Sequence, residues 1–281
     1  MVNIAVIMTV FNRKVITING LNSLQTAINR LGINYNFDIY MTDDGSKDGT
    51  SNAVEESFPC VRILSGDGNL YWSGGMRKAW QAAIDSGIHY DFFMWFNDDA
   101  ELYDDALVTM FETADKFGNK TLISGVFCDK NGNVSYGGKD KGGKWLSPNS
   151  NTQVYYMNGN LALIPNNVFQ VLGNIDKIYI HGLGDWDYSM RAIENNLNVR
   201  VSHKYVGVTD RHDIDLGACW SKKYNLQKRF NMFYGAKYNP IIQFKFDYSH
   251  IGWWYAVVKF VVHHLYTLFP FIFLFVKQNK E

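Results

Sequence analysis

The sequence has few cysteines, no net charge, no internal repeat and no flexible linker long enough to divide it. Its 281 residues include three cysteines, Cys60, Cys128 and Cys219, with no Cys-x-x-Cys pair. This spacing argues against a disulfide framework and against a cysteine-based zinc site, and it favours a reducing cytosol. No charged segment followed by an apolar run opens the chain, so we expect no secretory signal.

Almost half of the residues, 47%, are hydrophobic, which excludes a disordered or collagen-like chain. The zero net charge hides an asymmetry. Residues 1–216 hold 18 Lys and Arg against 25 Asp and Glu, whereas residues 217–281 hold 9 against 2. An acidic body with a basic tail predicts a metal or polar-substrate site in the body and an anionic surface for the tail.

Strand and helix patterns alternate over the first 125 residues, which predicts βαβ units and a mostly parallel sheet covered by helices. Ligands bind such sheets at the carboxyl ends of the strands. We predict a strand pair over 154–165 and helices beginning near residues 184 and 222. The predicted strands of the first part are 3–10, 37–41, 61–64, 92–96 and 122–127, and its predicted helices are 15–31, 51–57, 76–86 and 104–117.

Residues 251–276 carry one charge, Lys259, in 26 residues. A helix of this length could cross a bilayer. However, Lys259, His263 and Thr267 form a polar stripe and Pro270 interrupts the helix, which favours a helix lying in the membrane interface. The basic run at 222–245 adds attraction to anionic lipid. The alternative is a helix packed on the domain or in a homodimer interface.

Three polar clusters follow predicted strands or precede a helix. Asn97-Asp98-Asp99 ends an apolar strand, where a hard divalent cation would offset two carboxylates, although a solvated loop or a helix cap is an equal alternative. Asp43-Asp44-Gly45-Ser46 contacts a ribose or base in one interpretation and is an ordinary Asx turn in the other. The stretch 66–77, GDGNLYWSGGMR, can bring backbone amides and Arg77 to phosphate, although it matches neither a Walker loop nor Gly-x-Gly-x-x-Gly.

Together these motifs resemble the family 2 inverting glycosyltransferases with the GT-A fold, over about residues 2–237. The similar segments are IAVIMTVFNR, TDDGSKDGT, WFNDDAEL, Gly184-Asp185-Trp186-Asp187 with Arg191, and His212 followed by a basic helix. Residues 66–76 are similar to a rhamnosyltransferase-like subset. Gly184 stands where relatives have glutamate, and Thr9 where many have proline.

The resemblance implies a role for each matching residue. Asp185 would be the general base that deprotonates the acceptor. Mn²⁺ or Mg²⁺ would bridge the donor's diphosphate and bind Asp99 and His212. Trp186 and Asp187 would bind the acceptor, although Asp187 and Arg191 are spaced as a helix ion pair. The nucleotide would contact Thr9, Asn12, Asp43, Asp44, Gly74, Arg77 and Asp98, with Asp44 on the base and Asp98 on the ribose.

The sequence therefore predicts an α/β protein with a GT-A domain at 1–246, its donor half at about 1–125 and its acceptor half at about 126–246. Residues 247–281 would form a hydrophobic helix that associates with a membrane or an interface. The predicted activity moves a sugar from a UDP- or dTDP-sugar to a saccharide or polyprenyl-linked acceptor, at the cytoplasmic face of the cell membrane, in cell-surface polysaccharide synthesis. Nucleic acid is not an expected partner. The alternatives are a nucleotidyltransferase, disfavoured by the absence of glycine in residues 9–14, and a non-catalytic nucleotide-sugar-binding module.

Overall fold

The computed structural model describes residues 1–118, 120–211 and 216–273. The strands are β1 Val2–Val10, β2 Tyr35–Asp43, β3 Val61–Ser65, β4 Phe92–Phe96, β5 Glu101–Leu102, β6 Thr121–Cys128, β7 Val134–Tyr136, β8 Gly138–Lys139, β9 Tyr156–Met157, β10 Leu161–Pro165 and β11 Asn198–Val208. The helices are α1 Lys14–Leu31, α2 Thr50–Ser57, α3 Tyr71–Asp85, α4 Ala106–Phe117, α5 Asn166–Leu172, α6 Gly184–Glu194, a 3₁₀ turn Leu216–Trp220, α7 Leu226–Phe233, α8 Pro240–His250 and α9 Trp253–Leu268.

The main sheet has the strand order β3-β2-β1-β4-β10-β6-β11-β5, and β7 pairs with β6. The strands β3, β2, β1 and β4 run parallel, so their carboxyl ends meet at one edge. β10 lies antiparallel between β4 and β6, and β11 is parallel to β6. The predicted α/β sheet flanked by helices is confirmed, and its second half is mixed because β10 enters in the opposite direction.

Helices cover both faces of this sheet, because successive side chains of a strand point to opposite sides. Along β1, Ile4, Val6 and Met8 belong to a core shared with α1 and α4. Ala5 and Ile7 belong to a second core shared with α3 and α6. Since both faces are covered, the strand is a nearly continuous apolar run, as is usual for parallel sheets.

Two details of the predicted secondary structure are wrong. Residues 154–165 do not form a strand pair, since β9 pairs with β8 and β10 pairs with β4 and β6. Helix α3 begins at Tyr71, five residues before the predicted start. Its glycines serve close packing: a Cβ on Gly75 would lie 2.1 Å from Thr9 Oγ1. The short strand β5, the long strand β11 and the helices α5 and α8 were not predicted.

The chain divides into two compact units. The first consists of Met1–Lys177 and Gly184–Arg211 and contains the whole main sheet. The second consists of Ile178–Leu183 and the residues after Arg211, of which 216–273 are described. It holds the helices α7, α8 and α9, and residue 246, the domain boundary expected from the sequence, lies within α8.

Helix α9 turns its polar stripe toward the interior of the second unit. Lys259 Nζ lies 3.0 Å from the buried Asp247 carboxylate, His263 hydrogen bonds with Tyr238, and Thr267 accepts a hydrogen bond from Trp220. Burial lowers the pKa of His263 to about 4, so this ring is neutral at pH 7.

The opposite face of α9 is apolar and exposed. Trp253 and Trp254 are 62% and 63% exposed at its start. Val257, Val261 and Leu265 continue the exposed face at intervals of four residues. Within the described ranges, no helix has both the length and the apolar character needed to cross a membrane. The helix is therefore amphipathic with its apolar side outward.

Candidate active site

The turn after β2 is held by its own acidic side chains. Asp43 Oδ1 accepts a hydrogen bond from the Ser46 amide at 2.8 Å, and Asp43 also bonds Ser51. Asp44 accepts from the amides of Gly68 and Tyr71, both at 2.9 Å. Both carboxylates are nearly fully buried. Asp44 thus fixes the glycine-rich loop against the turn, and its predicted contact with the nucleobase would be made from this anchored position.

Asn12 joins the end of β1 to the same turn. Its backbone is in the left-handed region, with φ of 49°. Its amide donates to Ser46 Oγ at 2.8 Å, and its side-chain oxygen accepts from the Lys47 amide at 2.7 Å. Thr9 donates to the Thr42 carbonyl at 3.1 Å. The two residues predicted to contact nucleotide therefore also align the ends of β1 and β2.

The Asp98–Asp99 pair already has a positive partner, Arg13. One guanidinium nitrogen, Nη1, lies 2.9 Å from Asp98 Oδ1 and 3.1 Å from Asp99 Oδ2. The second oxygen of Asp98 accepts from Thr17 at 2.6 Å. Burial raises the pKa of Asp98, and the Arg13 charge and the hydrogen bonds oppose that rise. Asp98, predicted to bind ribose, is therefore buried and bonded to α1, while the Asp99 side chain stays 24% exposed.

Asp99 is the carboxylate of this pair that stays accessible to a divalent metal. In the described part of the chain, no three His, Cys, Asp or Glu side chains gather into a metal cluster. Mg²⁺ sites, however, commonly use one or two protein carboxylates together with substrate phosphates. Asp98 and Asp99 line a pocket of about 460 Å³ together with residues of α1. His212, the other predicted ligand, lies outside the described residues.

Asp185, the predicted base, lies at the start of α6. Its carboxylate accepts hydrogen bonds from the amides of Trp186 at 2.9 Å and Gly159 at 3.3 Å. Burial raises the pKa of Asp185 to about 6. A carboxyl group with a pKa near the working pH is suited to general-base catalysis. The preceding Gly184 packs on Ser73, where a Cβ would lie 2.7 Å from Ser73 Oγ, so no side chain fits there without a rearrangement.

Three residues without a predicted role connect Asp185 to the acidic motif. Trp72 lies against Gly159 and donates from Nε1 to Asn97 Oδ1 at 2.7 Å. Asn97 Nδ2 donates to Asn160 Oδ1 at 2.7 Å. A series of contacts thus joins the candidate base to Asn97, the residue that precedes the Asp98–Asp99 pair. A role for Asn97 could have been predicted, because it belongs to the Asn97-Asp98-Asp99 motif. Trp72 and Asn160 lie near glycines, and no other feature of the sequence indicates a role for them.

Arg77 and Gly74 lie on α3, and Arg77 contacts the 174–176 segment. Arg77 Nη1 donates to the Asp176 carbonyl at 3.2 Å, and the Arg77 carbonyl accepts from Asn174 at 3.1 Å. Burial lowers the pKa of Arg77. Gly74 packs on Leu70. The contact of these two residues with the donor's phosphates stays a prediction.

Of the predicted acceptor residues, Asp187 is buried and Trp186 is partly exposed. Asp187 Oδ2 lies 2.8 Å from Arg191 Nε, the spacing of a helix ion pair. Arg191 also donates to the Leu172 carbonyl at 2.6 Å, so the pair fixes the connection from α5. The Trp186 ring lies 4.9 Å from the Tyr156 ring. Trp186 and Tyr156 thus form an aromatic surface next to Asp185. Tyr156 is not among the site residues predicted from the sequence.

One family of known proteins matches the chain by sequence. The family model described as "Glycosyl transferase family 2" matches residues 5–172. No curated protein sequence matches the chain significantly.

Three solved structures are similar in fold. Residues 1–349 of TarS from S. aureus are 16% identical with a TM-score of 0.54, over 75% of this chain and 60% of that one. Mannosyltransferase PcManGT from Pyrobaculum calidifontis, in complex with GDP-Man and Mn²⁺, is 15% identical with a TM-score of 0.56, over 92% and 73%. GalNAc-T7 with UDP, GalNAc and Mn²⁺ is 14% identical with a TM-score of 0.56, over 96% and 58%. The chain spans less than two thirds of the TarS and GalNAc-T7 chains. These likenesses confirm the predicted GT-A fold.

Proposed function

The chain belongs to glycosyl transferase family 2, and we propose that it moves a sugar from a nucleotide-diphosphate-sugar to a hydroxyl group of an acceptor, with inversion. The observation that carries this proposal is the position of Asp185. Burial raises the pKa of Asp185 to about 6, and its carboxylate accepts a hydrogen bond from the Gly159 amide. Gly159 packs on Trp72, which bonds Asn97 beside the Asp98–Asp99 pair. A base and a site for the leaving diphosphate are the two parts that such a transfer needs.

On the donor side, we assign the nucleotide to the edge formed by the ends of β1, β2 and β4. The turn anchored by Asp43 and Asp44 would hold the base, and the Asn12 backbone aligns this turn with β1. A bound Mn²⁺ or Mg²⁺ would supply positive charge to the departing diphosphate. PcManGT and GalNAc-T7, which are solved with nucleotide ligands and Mn²⁺, support a donor and a metal of these kinds.

On the acceptor side, Asp185 would take the proton of the attacking hydroxyl. Its two amide hydrogen bonds hold the carboxylate in place, and its raised pKa keeps it basic enough at neutral pH. A single displacement opposite the leaving diphosphate inverts the anomeric carbon. Trp186 and Tyr156 offer a ring surface for a sugar. We infer a saccharide or polyprenyl-linked acceptor of cell-surface polysaccharide synthesis, and the glycine-rich stretch favours a rhamnosyltransferase-like donor preference.

A donor screen tests this function. We expect one of the UDP-, dTDP- or GDP-sugars to raise the melting temperature of the full chain in Mn²⁺, because a ligand that binds only the folded state stabilises it by mass action. The same donor should release its nucleoside diphosphate slowly in water. Release of pyrophosphate from a nucleoside triphosphate would identify a nucleotidyltransferase, and binding without turnover would indicate a non-catalytic module.

We also propose that the second unit docks on an anionic membrane surface through α9, at the inner face of the cell membrane. Three observations support this. The apolar face of α9 is exposed, with Trp253 and Trp254 at its start. Such patches mark interaction sites, and tryptophans favour the headgroup region. Lysines at 222, 223, 228, 237 and 245 are exposed in the same unit. Arg229 of the basic run is not available to lipid, since it is buried and donates to the Thr267 carbonyl at 2.9 Å.

Replacing Val257, Val261 and Leu265 together by glutamate should abolish membrane binding. Each apolar side chain contributes about 1.5–3 kcal/mol when it is buried in lipid. We therefore expect the full chain to float with phosphatidylglycerol vesicles at low salt, and the triple variant to lose at least ~100-fold in partitioning. Point variants are preferable to removing residues 248–281, because α9 supplies the partners of Asp247, Tyr238 and Trp220.

The matched control is a triple glutamate variant of Val15, Ile33 and Ile88, which are exposed apolar residues of the first unit. It adds the same charge and should float like the unaltered protein. If the unaltered protein does not float at low salt, the membrane proposal is wrong. A change of oligomeric state in the α9 variant would then assign this face to a homodimer.

A further inference from the structure

Arg13 lies where the family resemblance places a divalent cation. Its Nη1 atom is shared between Asp98 and Asp99, at 2.9 and 3.1 Å. The other carboxylate oxygen of Asp98 accepts a hydrogen bond from Thr17. One guanidinium thus faces two carboxylates, and the cluster keeps a single net negative charge. Each contact is a charge-assisted hydrogen bond, the strong kind in proteins.

The backbone on both sides of Arg13 is held by the turn after β2. Before it, Asn12 bonds to Ser46 and Lys47. After it, the amide of Lys14 donates to Asp48 Oδ2 at 2.9 Å. The backbone of Asp98, the residue that Arg13 bonds, is also held in place. Gly20 of α1 packs so closely on it that a Cβ on Gly20 would lie 2.3 Å from the Asp98 carbonyl oxygen. Arg13 therefore links the candidate nucleotide turn to the candidate metal ligand.

We propose that Arg13 is a positioning residue that occupies the Asp98–Asp99 pair until the donor arrives, so that a divalent cation binds tightly only together with the donor's diphosphate. Without nucleotide, a cation at Asp99 would lie next to a fixed positive charge and would have a single accessible protein carboxylate. The diphosphate offsets that charge and adds oxygen ligands. The nucleotide half of this inference rests on the proposed function, whereas the competition between Arg13 and the cation does not.

Mn²⁺ titration of the full chain, followed by the electron paramagnetic resonance signal of free Mn²⁺, tests the competition directly. We expect Arg13→Gln to bind Mn²⁺ alone roughly tenfold to a hundredfold more tightly than the unaltered protein, since it removes a like charge a few ångströms away. Arg13→Lys keeps the charge and should stay near the unaltered affinity. Arg62→Gln is the matched control, because Arg62 forms an ion pair with Asp38 away from this site. Arg62→Gln should leave the Mn²⁺ affinity unchanged.

A second experiment uses only the unaltered protein, so its result does not depend on whether a variant folds. After subtraction of the Mn²⁺ that the nucleotide binds in a protein-free titration, Mn²⁺ should bind the protein at least about tenfold more tightly with UDP, dTDP or GDP, whichever binds, than without nucleotide. An unchanged or weaker Mn²⁺ affinity in Arg13→Gln overturns the proposal. So does equal Mn²⁺ affinity of the unaltered protein with and without diphosphate, or no Mn²⁺ binding at all. Failure of the proposed function would look different: no sugar transfer, with the Arg13→Gln effect on Mn²⁺ alone intact.

Discussion

Asp185→Asn is expected to lower kcat by roughly 10²–10⁴-fold and to leave donor affinity nearly unchanged. The amide cannot take the proton of the acceptor hydroxyl, but it keeps the size of the side chain. The Gly159 and Trp186 amides bond different oxygens of the carboxylate, and one of them can still donate to the asparagine oxygen. Steady-state kinetics with acceptor, together with donor binding by thermal shift, separate the two effects. Asp85→Asn, the same change on an exposed residue of α3, is the control.

The pH dependence of the unaltered enzyme supplies a second readout of the same prediction. The base must be ionised, so kcat/KM should fall as the pH drops through about 6, the pKa to which burial raises Asp185. In Asp185→Asn this step should disappear from the residual rate. A step that persists at the same pH in the variant would assign it to another group, and donor affinity lost in parallel with kcat would indicate a structural role.

The same substitution should stabilise the fold. The folded-state pKa of Asp185 lies above its unfolded value of 3.8, so the folded state binds more protons and loses stability as the pH rises from about 4 through 6. At pH 7 the ionised carboxylate is therefore destabilising. Asn should recover about 1–3 kcal/mol of the free energy of unfolding, discounted because solvent partly reaches the side chain. Urea unfolding at pH 4 and pH 7 should show this gain only at pH 7.

The first strands and helices could be predicted because their signals are local. β1 and β4 are apolar runs, and α1 repeats its apolar residues at helical spacing. β11 was missed because Arg200, His203 and Lys204 interrupt its alternation, and because its partners β6 and β5 are far away in the chain. The early start of α3 was missed because glycines usually break helices. Here Gly75 is needed to let the helix approach Thr9.

For the site, the sequence indicated which residues carry charge but not what each one contacts. The acidic pair at the end of β4 predicts a positive partner, and the family resemblance implies that this partner is a metal. The structure places Arg13 beside the pair, and Arg13 lies 85 residues before Asp98 in the chain. No local sequence pattern predicts an ion pair over that separation. The polar stripe of α9 was recognised in the same way, but its inward direction follows from contacts with Asp247, Tyr238 and Trp220. In both cases the contacts of the side chains depend on residues that are distant in the sequence.

Asp99→Asn should reduce transfer by about 10³-fold or more, because the side chain that fits the metal loses its charge while its shape is kept. The fold should be unaffected, since Asp99 is partly exposed and Arg13 retains its bond to the buried Asp98. The measurement is the transfer rate over a range of Mn²⁺ concentrations, with circular dichroism as the check on folding.

Asp115→Asn, an exposed residue of α4, is the matched control for Asp99→Asn and should keep full activity. The Mn²⁺ series decides what Asp99 does. If Asp99 is a ligand, the Mn²⁺ concentration needed for half-maximal rate should rise in the variant, because the diphosphate must then hold the cation nearly alone. A variant with the unaltered rate and the unaltered Mn²⁺ dependence would remove Asp99 from the metal site.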